Sequence, residues 1–168
     1  MNHNQKTIAQ KIVNIEQLKA LVDHAKKIGQ RVVWTNGCYD LLHAGHVLYL
    51  EKARACGDIL IVGLNSDASV HRTKGPQRPI VPEQERAIVI AALACVDYVV
   101  IFEDDSPIKI IDFLRPDVYV KGGDYNMVTV NQPERRLVEG YGGEVRLLPG
   151  VEGTSTTKII DKIRVSVR

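Results

Sequence analysis

No apolar run in this chain approaches the ~20 residues that a membrane-spanning helix needs. The opening residues Met1 to Lys6 are polar, so no signal peptide is expected there. There is no internal repeat and no low-complexity linker. The three cysteines, Cys38, Cys56 and Cys95, are scattered, with no Cys-x-x-Cys pair. That spacing argues against a disulfide framework or a structural zinc site and suits a reducing compartment. Aromatic residues make up only 5% of the chain, with one tryptophan and two phenylalanines, and the formal net charge is +2. A nucleic-acid binder would carry a stronger basic footprint and more stacking surface. The expectation is a cytoplasmic enzyme or binding protein that touches neither membrane nor nucleic acid.

What is present is ordinary in amount and specific in arrangement. At 168 residues, 45% of them hydrophobic, the chain can bury a real core as a single domain, residues 1–168. Residues 1–11 are expected to form a loose end. A first helix is expected over 15–28, with Asn14 as cap, Gln17 at the capping-box position and Gly29 after its end. Strands and helices then alternate. Strands are expected over 31–35, 58–65, 98–102, 118–121 and 144–148, and helices over 46–55, 82–93, 107–114, 133–141 and 156–163. Ser106 is expected to cap the helix over 107–114, ahead of Pro107. The run Ile59-Leu60-Ile61-Val62-Gly63-Leu64 is apolar throughout, which suits a strand buried on both faces of a parallel sheet. The pattern predicts an α/β, doubly wound, Rossmann-like sheet of five parallel strands with helices on both faces. Ligands of such sheets bind beyond the carboxyl ends of the strands, at the point where strand order reverses.

The residues that carry chemistry all fall just after predicted strands. His43-Ala44-Gly45-His46 stands where the first strand hands over to a helix. A helix start attracts anions through its free N–H groups and dipole, and two imidazoles add donors without fixed charge. Gly45 permits close approach to the backbone. The segment Thr35-Asn36-Gly37-Cys38-Tyr39-Asp40 leads into the histidines and offers backbone N–H groups to phosphate. A zinc site there would need a third ligand that the neighbourhood does not supply. Asn65, Ser66 and Asp67 close the second strand. Asp67 could hold substrate hydroxyls, while Ser66 reads as a helix cap. After a short turn at 67–70 comes the basic loop Lys74-Gly75-Pro76-Gln77-Arg78-Pro79, with Arg86 in the next helix. Lysine supplies a point charge and arginine a fork for phosphate. Lys121-Gly122-Gly123-Asp124 ends the fourth strand, where glycines let a ligand lie on the backbone. Ser155-Thr156-Thr157 opens the last helix with hydroxyls and free N–H groups.

These motifs resemble the cytidylyltransferase-like nucleotidyltransferases, a doubly wound family with a His-x-Gly-His signature and a Ser-Thr-Thr helix start near its C-terminus. The resemblance implies that His43 and His46 stabilise the α-phosphate during transfer, with Lys74 as a third catalytic residue. It implies nucleotide contacts from Thr35, Asn36, Gly37, Cys38, Tyr39, Gly45, Lys121, Gly122, Ser155, Thr156 and Thr157. The second substrate would be held by Asp40, Asn65, Asp67, Lys74, Arg78, Arg86, Gly123 and Asp124.

Within the family, residues 121–125 and 139–145 are similar to the adenylyltransferases that activate D-glycero-β-D-manno-heptose 1-phosphate for lipopolysaccharide. In many bacteria that activity is fused behind a sugar kinase. At this length no kinase domain is expected, and the chain resembles the stand-alone form. Implied partners are ATP and a sugar 1-phosphate, with Mg²⁺ carried on the ATP phosphates and no metal ligand among the side chains, and a homodimer. The alternative is a cytidylyltransferase acting on glycerol 3-phosphate or another alcohol phosphate. Such enzymes carry Arg-Thr where this chain has Gly150-Val151. A nucleotide-binding regulatory module without chemistry is a further reading, set against the intact set of His43, His46, Lys74 and Thr156.

Overall fold

The structure, a computed structural model, describes residues 6–122, 132–150, 153 and 155–166. Five strands form one parallel sheet: β1 (Val32–Gly37), β2 (Ile59–Asn65), β3 (Tyr98–Phe102), β4 (Val118–Gly122) and β5 (Glu144–Leu148). Their order is β3-β2-β1-β4-β5, the doubly wound arrangement that the alternation of strands and helices predicts. The order reverses between β1 and β4, so the carboxyl ends of those two strands flank the expected crevice.

Side-chain alternation on the strands divides the core in two. Val33, Leu60, Val62, Val118 and Val120 point to one face, which is covered by α3 (Ala44–Arg54) and α5 (Glu83–Ala91) through Leu50, Ala53, Ala87 and Ile90. Val32, Trp34, Ile61, Val100 and Tyr119 point to the other. There they meet α2 (Ile15–Lys27), α6 (Ile108–Leu114) and α7 (Gln132–Gly140) through Leu18, Val22, Ile111, Leu114 and Val138. Trp34 is fully buried, and Gly63 makes room for its ring: a Cβ at Gly63 would lie 2.3 Å from Trp34 Cζ2. Among the described residues no helix is long and apolar enough to cross a membrane.

The predicted caps of α2 are present. Asn14 Oδ1 accepts from Gln17 N at 2.9 Å, Gln17 Oε1 accepts from Asn14 N at 3.0 Å, and Gly29 follows with φ +77°. Three local features differ from expectation. The expected loose end tightens at its last residues into α1 (Ile8–Lys11), capped by Thr7, whose Lys11 donates to Leu93 O at 3.1 Å. The segment read as a turn at 67–70 plus a loop continues as one helix, α4 (Asp67–Lys74). Its Arg72 pairs with Asp105 at 2.8 Å and donates to Glu103 O, contacts distant in sequence that supply what its polar composition does not. Ser106 does not cap α6: Pro107 is the N-cap, and Ser106 Oγ is buried without a hydrogen-bond partner among the described residues. A proline in place of an N–H leaves Ser106 one amide fewer to accept from. The last helix, α8, is Thr156–Ser166.

Candidate active site

β1 runs two residues further than expected, so Asn36 and Gly37 belong to the strand and the turn into α3 is short. Tyr39, in that turn, has φ +43° although it is not glycine and is almost fully buried. Strained backbone of this kind persists where surrounding packing over-determines it, often beside a functional centre. His43 is the N-cap of α3 but makes no side-chain bond to the first-turn amides. The start of the helix therefore keeps its attraction for an anion. The rings of His43 and His46 stack at 3.8 Å with 19° between their planes, and the Tyr39 ring meets His46 edge-on at 5.2 Å. His43 Nδ1 and His46 Nδ1 are buried without hydrogen-bond partners among the described residues.

Burial favours the neutral form of both rings. Burial lowers the pKa of His46 to about 4, with the neighbouring His43 adding to the effect, and burial also lowers that of His43. A neutral imidazole offers one N–H donor and a lone pair, and an arriving phosphate raises its proton affinity.

The C-terminal helix reaches the same turn. Thr156 Oγ1 donates to Leu41 O at 3.3 Å, two residues before His43. Ser155 Oγ accepts from Lys158 N at 3.4 Å, and Thr157 is exposed beside it. Further along α8, Arg164 reaches Gln77 Oε1 at 2.6 Å, in the segment that follows Lys74. Lys74 itself is exposed and has no hydrogen-bond or ion-pair partner among the described residues. Its charge is near enough to Cys38 to oppose the burial that raises that thiol's pKa.

The remaining predicted residues divide into those facing the crevice and those beneath it. Asp40 is buried. Its carboxylate accepts from Arg78 Nε at 2.5 Å, Ile80 N at 2.8 Å and Val81 N at 2.9 Å, so it hangs the loop after α4 on the histidine turn. Arg86 does not reach outward as sequence suggests. It is 1% exposed and donates to the carbonyls of Val81, Cys38 and Asn65 and to Asp67 Oδ1, the last at 2.7 Å. One guanidinium thereby ties together the ends of β1 and β2 and the approach to α5. Asn65 also donates to Ser69 Oγ at 3.0 Å, and Ser66 is the cap of α4, accepting from Ser69 N. Gly45 is buried in the first turn of α3.

On the other side of β1, Tyr119 Oη lies 3.2 Å from Asn36 Oδ1 and donates to Glu134 Oε2. Lys121 Nζ donates to Tyr119 Oη at 2.7 Å and to Glu134 at 3.1 Å. Sequence reasoning missed Glu134, a carboxylate buried in the first turn of α7, because glutamate next to two arginines reads as a solvated helix face. Thr35 is fully buried and bonded to Tyr49, while Gly122 ends β4. Gly123 and Asp124 lie outside the described residues.

A cytidylyltransferase-like family model matches residues 34–162, most of the chain, from β1 into α8. The chain belongs to the cytidylyltransferase-like family. It is a nucleotidyltransferase. Among curated relatives it is similar to the bifunctional protein HldE of Syntrophotalea carbinolica, with 53% identity over 97% of this chain and 33% of that protein. It is likewise similar to bifunctional protein HldE of Geotalea uraniireducens, with 57% identity over 92% of this chain and 31% of that protein. The chain thus spans about a third of the length of these relatives. Among solved structures it is similar to a lipopolysaccharide core biosynthesis protein from Thermoplasma volcanium. That likeness has TM-score 0.60 and 27% identity, covering 75% of this chain and all of the other. The pantoate–β-alanine ligase of Francisella tularensis matches at TM-score 0.59 and 15% identity over 92% of this chain and 77% of the other, a likeness of fold.

Two outcomes follow for this family member. Arg86→Met leaves three carbonyls without their donor and is expected to destabilise the protein in urea unfolding by about 3 kcal/mol or more, each buried acceptor left unpaired costing on the order of 1–3 kcal/mol. Arg86→Lys is expected to recover only part of that loss, because an ammonium cannot span the four acceptors. The second outcome concerns pH. Between 6.5 and about 4 the unfolded chain takes up a proton that folded His46 refuses. Stability contributed by the neutral ring is complete above 6.5 and is lost as pH falls through that window. Unfolding measured across it should show the slope, and His46→Gln should flatten it.

Proposed function

We propose that this chain transfers the AMP group of ATP to D-glycero-β-D-manno-heptose 1-phosphate, releasing pyrophosphate and forming ADP-heptose for lipopolysaccharide. The observation that carries this reading is the meeting of two helix starts: the stacked, neutral His43 and His46 on α3, and Thr156 of α8 bonded to the same turn. The HldE relatives and the lipopolysaccharide core protein support the sugar-phosphate class. An ATP-dependent step of this kind belongs in the cytoplasm.

The reaction asks for alignment and charge stabilisation more than for proton transfer. A sugar 1-phosphate loses its second proton near pH ~6, so it arrives as a nucleophile and needs no base. Its oxygen attacks the α-phosphorus in line. The bond from the α-phosphorus to the bridging oxygen breaks, and pyrophosphate leaves with the electron pair. His43 and His46 donate to the α-phosphate oxygens as charge grows there. The start of α8, with Ser155, Thr156 and Thr157, holds the departing phosphates. Lys74 and the free nitrogens of Arg78 meet the incoming phosphate, while Asp40 and Arg86 hold the loops that carry them. Asn36, Gly37, Lys121 and Gly122 line the crevice for the nucleoside. Among the described residues no cluster of three or more His, Cys, Asp or Glu is built to hold a metal ion. In this reading Mg²⁺ enters with ATP, on its phosphates, as part of the substrate.

The test is pyrophosphate release with each nucleoside triphosphate against a panel of sugar 1-phosphates and polyol phosphates. Turnover is expected with ATP and the heptose phosphate. Turnover confined to CTP with glycerol 3-phosphate would replace this reading by the cytidylyl one. His43→Ala and His46→Ala should fold and lose about 10²–10³ in kcat, the cost of one preorganised donor. Lys74→Ala should chiefly raise KM for the sugar phosphate.

A further inference from the structure

The sheet opens at one place. β1 pairs with β2 as far as Gly37, and β4 pairs with β5 as far as Gly122. Between β1 and β4, however, pairing is confined to Val33↔Val118 and Trp34↔Tyr119. Beyond those two positions the strands part, just where the crevice begins. Continuing the register would set Thr35 against Val120, Asn36 against Lys121 and Gly37 against Gly122.

Tyr49 of α3 occupies the fork. Its hydroxyl donates to Val120 O at 3.1 Å and lies 2.6 Å from Thr35 Oγ1. A carbonyl can only accept, so the single phenolic proton goes to Val120 and Thr35 must be the donor in the second bond. The backbone oxygen of β4 at the fork is thus met by a side chain from the helix that carries the histidines. The ring completes the wedge: a Cβ on Gly122 would lie 2.4 Å from Tyr49 Cε2, so Gly122 is the residue that lets Tyr49 stand there. His46 and Tyr49 are three residues apart and share one face of α3. Burial raises the phenol's pKa, which keeps the hydroxyl a donor at any working pH.

We infer that Tyr49 is a positioning residue which wedges β1 and β4 apart at the floor of the crevice and sets its width for the nucleotide. The inference rests on the reading of the crevice as a nucleotide site. Without the hydroxyl, Val120 O and Thr35 lose their partner and the two strands are free to zip further toward their carboxyl ends, narrowing the floor.

The test is Tyr49→Phe, which keeps the ring in the core. Binding of α,β-methylene-ATP is measured by calorimetry beside the full kinetics with ATP. Affinity is expected to fall about tenfold, the scale of one net hydrogen bond, with KM for ATP raised to match and kcat little changed. Deuterium exchange is expected to slow across residues 35–37 and 120–122 as pairing extends. Unchanged affinity in Tyr49→Phe would overturn the inference and leave the nucleotide reading intact. So would a fall in kcat at constant KM, or a lower melting temperature with unaltered exchange. A Tyr49→Phe protein that does not fold would make the hydroxyl a structural prop and overturn the positioning role. A wild type that binds no nucleoside triphosphate would overturn the nucleotide reading itself, and the inference with it.

Discussion

A guanidinium sealed from solvent holds this site together. Arg86 touches the ends of β1 and β2 and the approach to α5, and every group it touches is an acceptor. Burying a full charge is expensive, and the cost is offset only where several partners stand in the right plane. Three carbonyls and one carboxylate do so here. Asp40 repeats the device with the opposite sign, gathering two amides and the Nε of Arg78. The two buried charges do not bond each other. Each grips a different part of the same loop system, so the histidine turn and the loop after α4 cannot move independently.

That rigidity gives the histidines their character. The turn that Arg86 and Asp40 fix is also the one that folds Tyr39 back, with a left-handed φ, against His46. Packed under Tyr39 and stacked on His43, His46 is too dry to carry a charge near neutrality. A charged pair would bind phosphate more strongly in the ground state and in the transition state alike. Neutral donors favour the state in which charge has grown, and only such differential binding raises kcat.

The sheet was legible because its evidence is local. Ile59 to Leu64 could be little other than a buried strand, and Asn14 with Gln17 marks a helix start by itself. The placing of histidines, lysine and hydroxyls after strands pointed to the carboxyl ends of the strands, where the proposed site lies. What escaped depends on partners far along the chain. α4 is polar in composition and holds through its cap and through Arg72 to residues 103 and 105. Arg86 reads as a surface arginine until the three carbonyls around it are known. Glu134 sits among charged neighbours and is buried only because Tyr119 and Lys121 of β4 point at it. Tyr49 looks like any aromatic on an apolar helix face, and its place in the fork depends on the register of two strands it does not belong to.

The two halves of the crevice differ in charge, and the difference orders the substrates of the proposed reaction. Beyond β1 and β2 stand Lys74, unpaired among the described residues, and Arg78, only partly used by Asp40. Beyond β4, Lys121 is tied to Glu134, so its charge is largely cancelled within the protein. In the proposed reaction the phosphates of both substrates are drawn toward the uncancelled side, the sugar phosphate to Lys74 and Arg78 and the nucleotide phosphates to the starts of α3 and α8, whose dipoles add to the attraction. The neutral nucleoside is left the side with hydrogen-bonding groups and little net field. In the proposed reading the orientation of the nucleotide follows from where the chain leaves its countercharges uncancelled, with the neutral histidines set to meet the α-phosphate between the two halves.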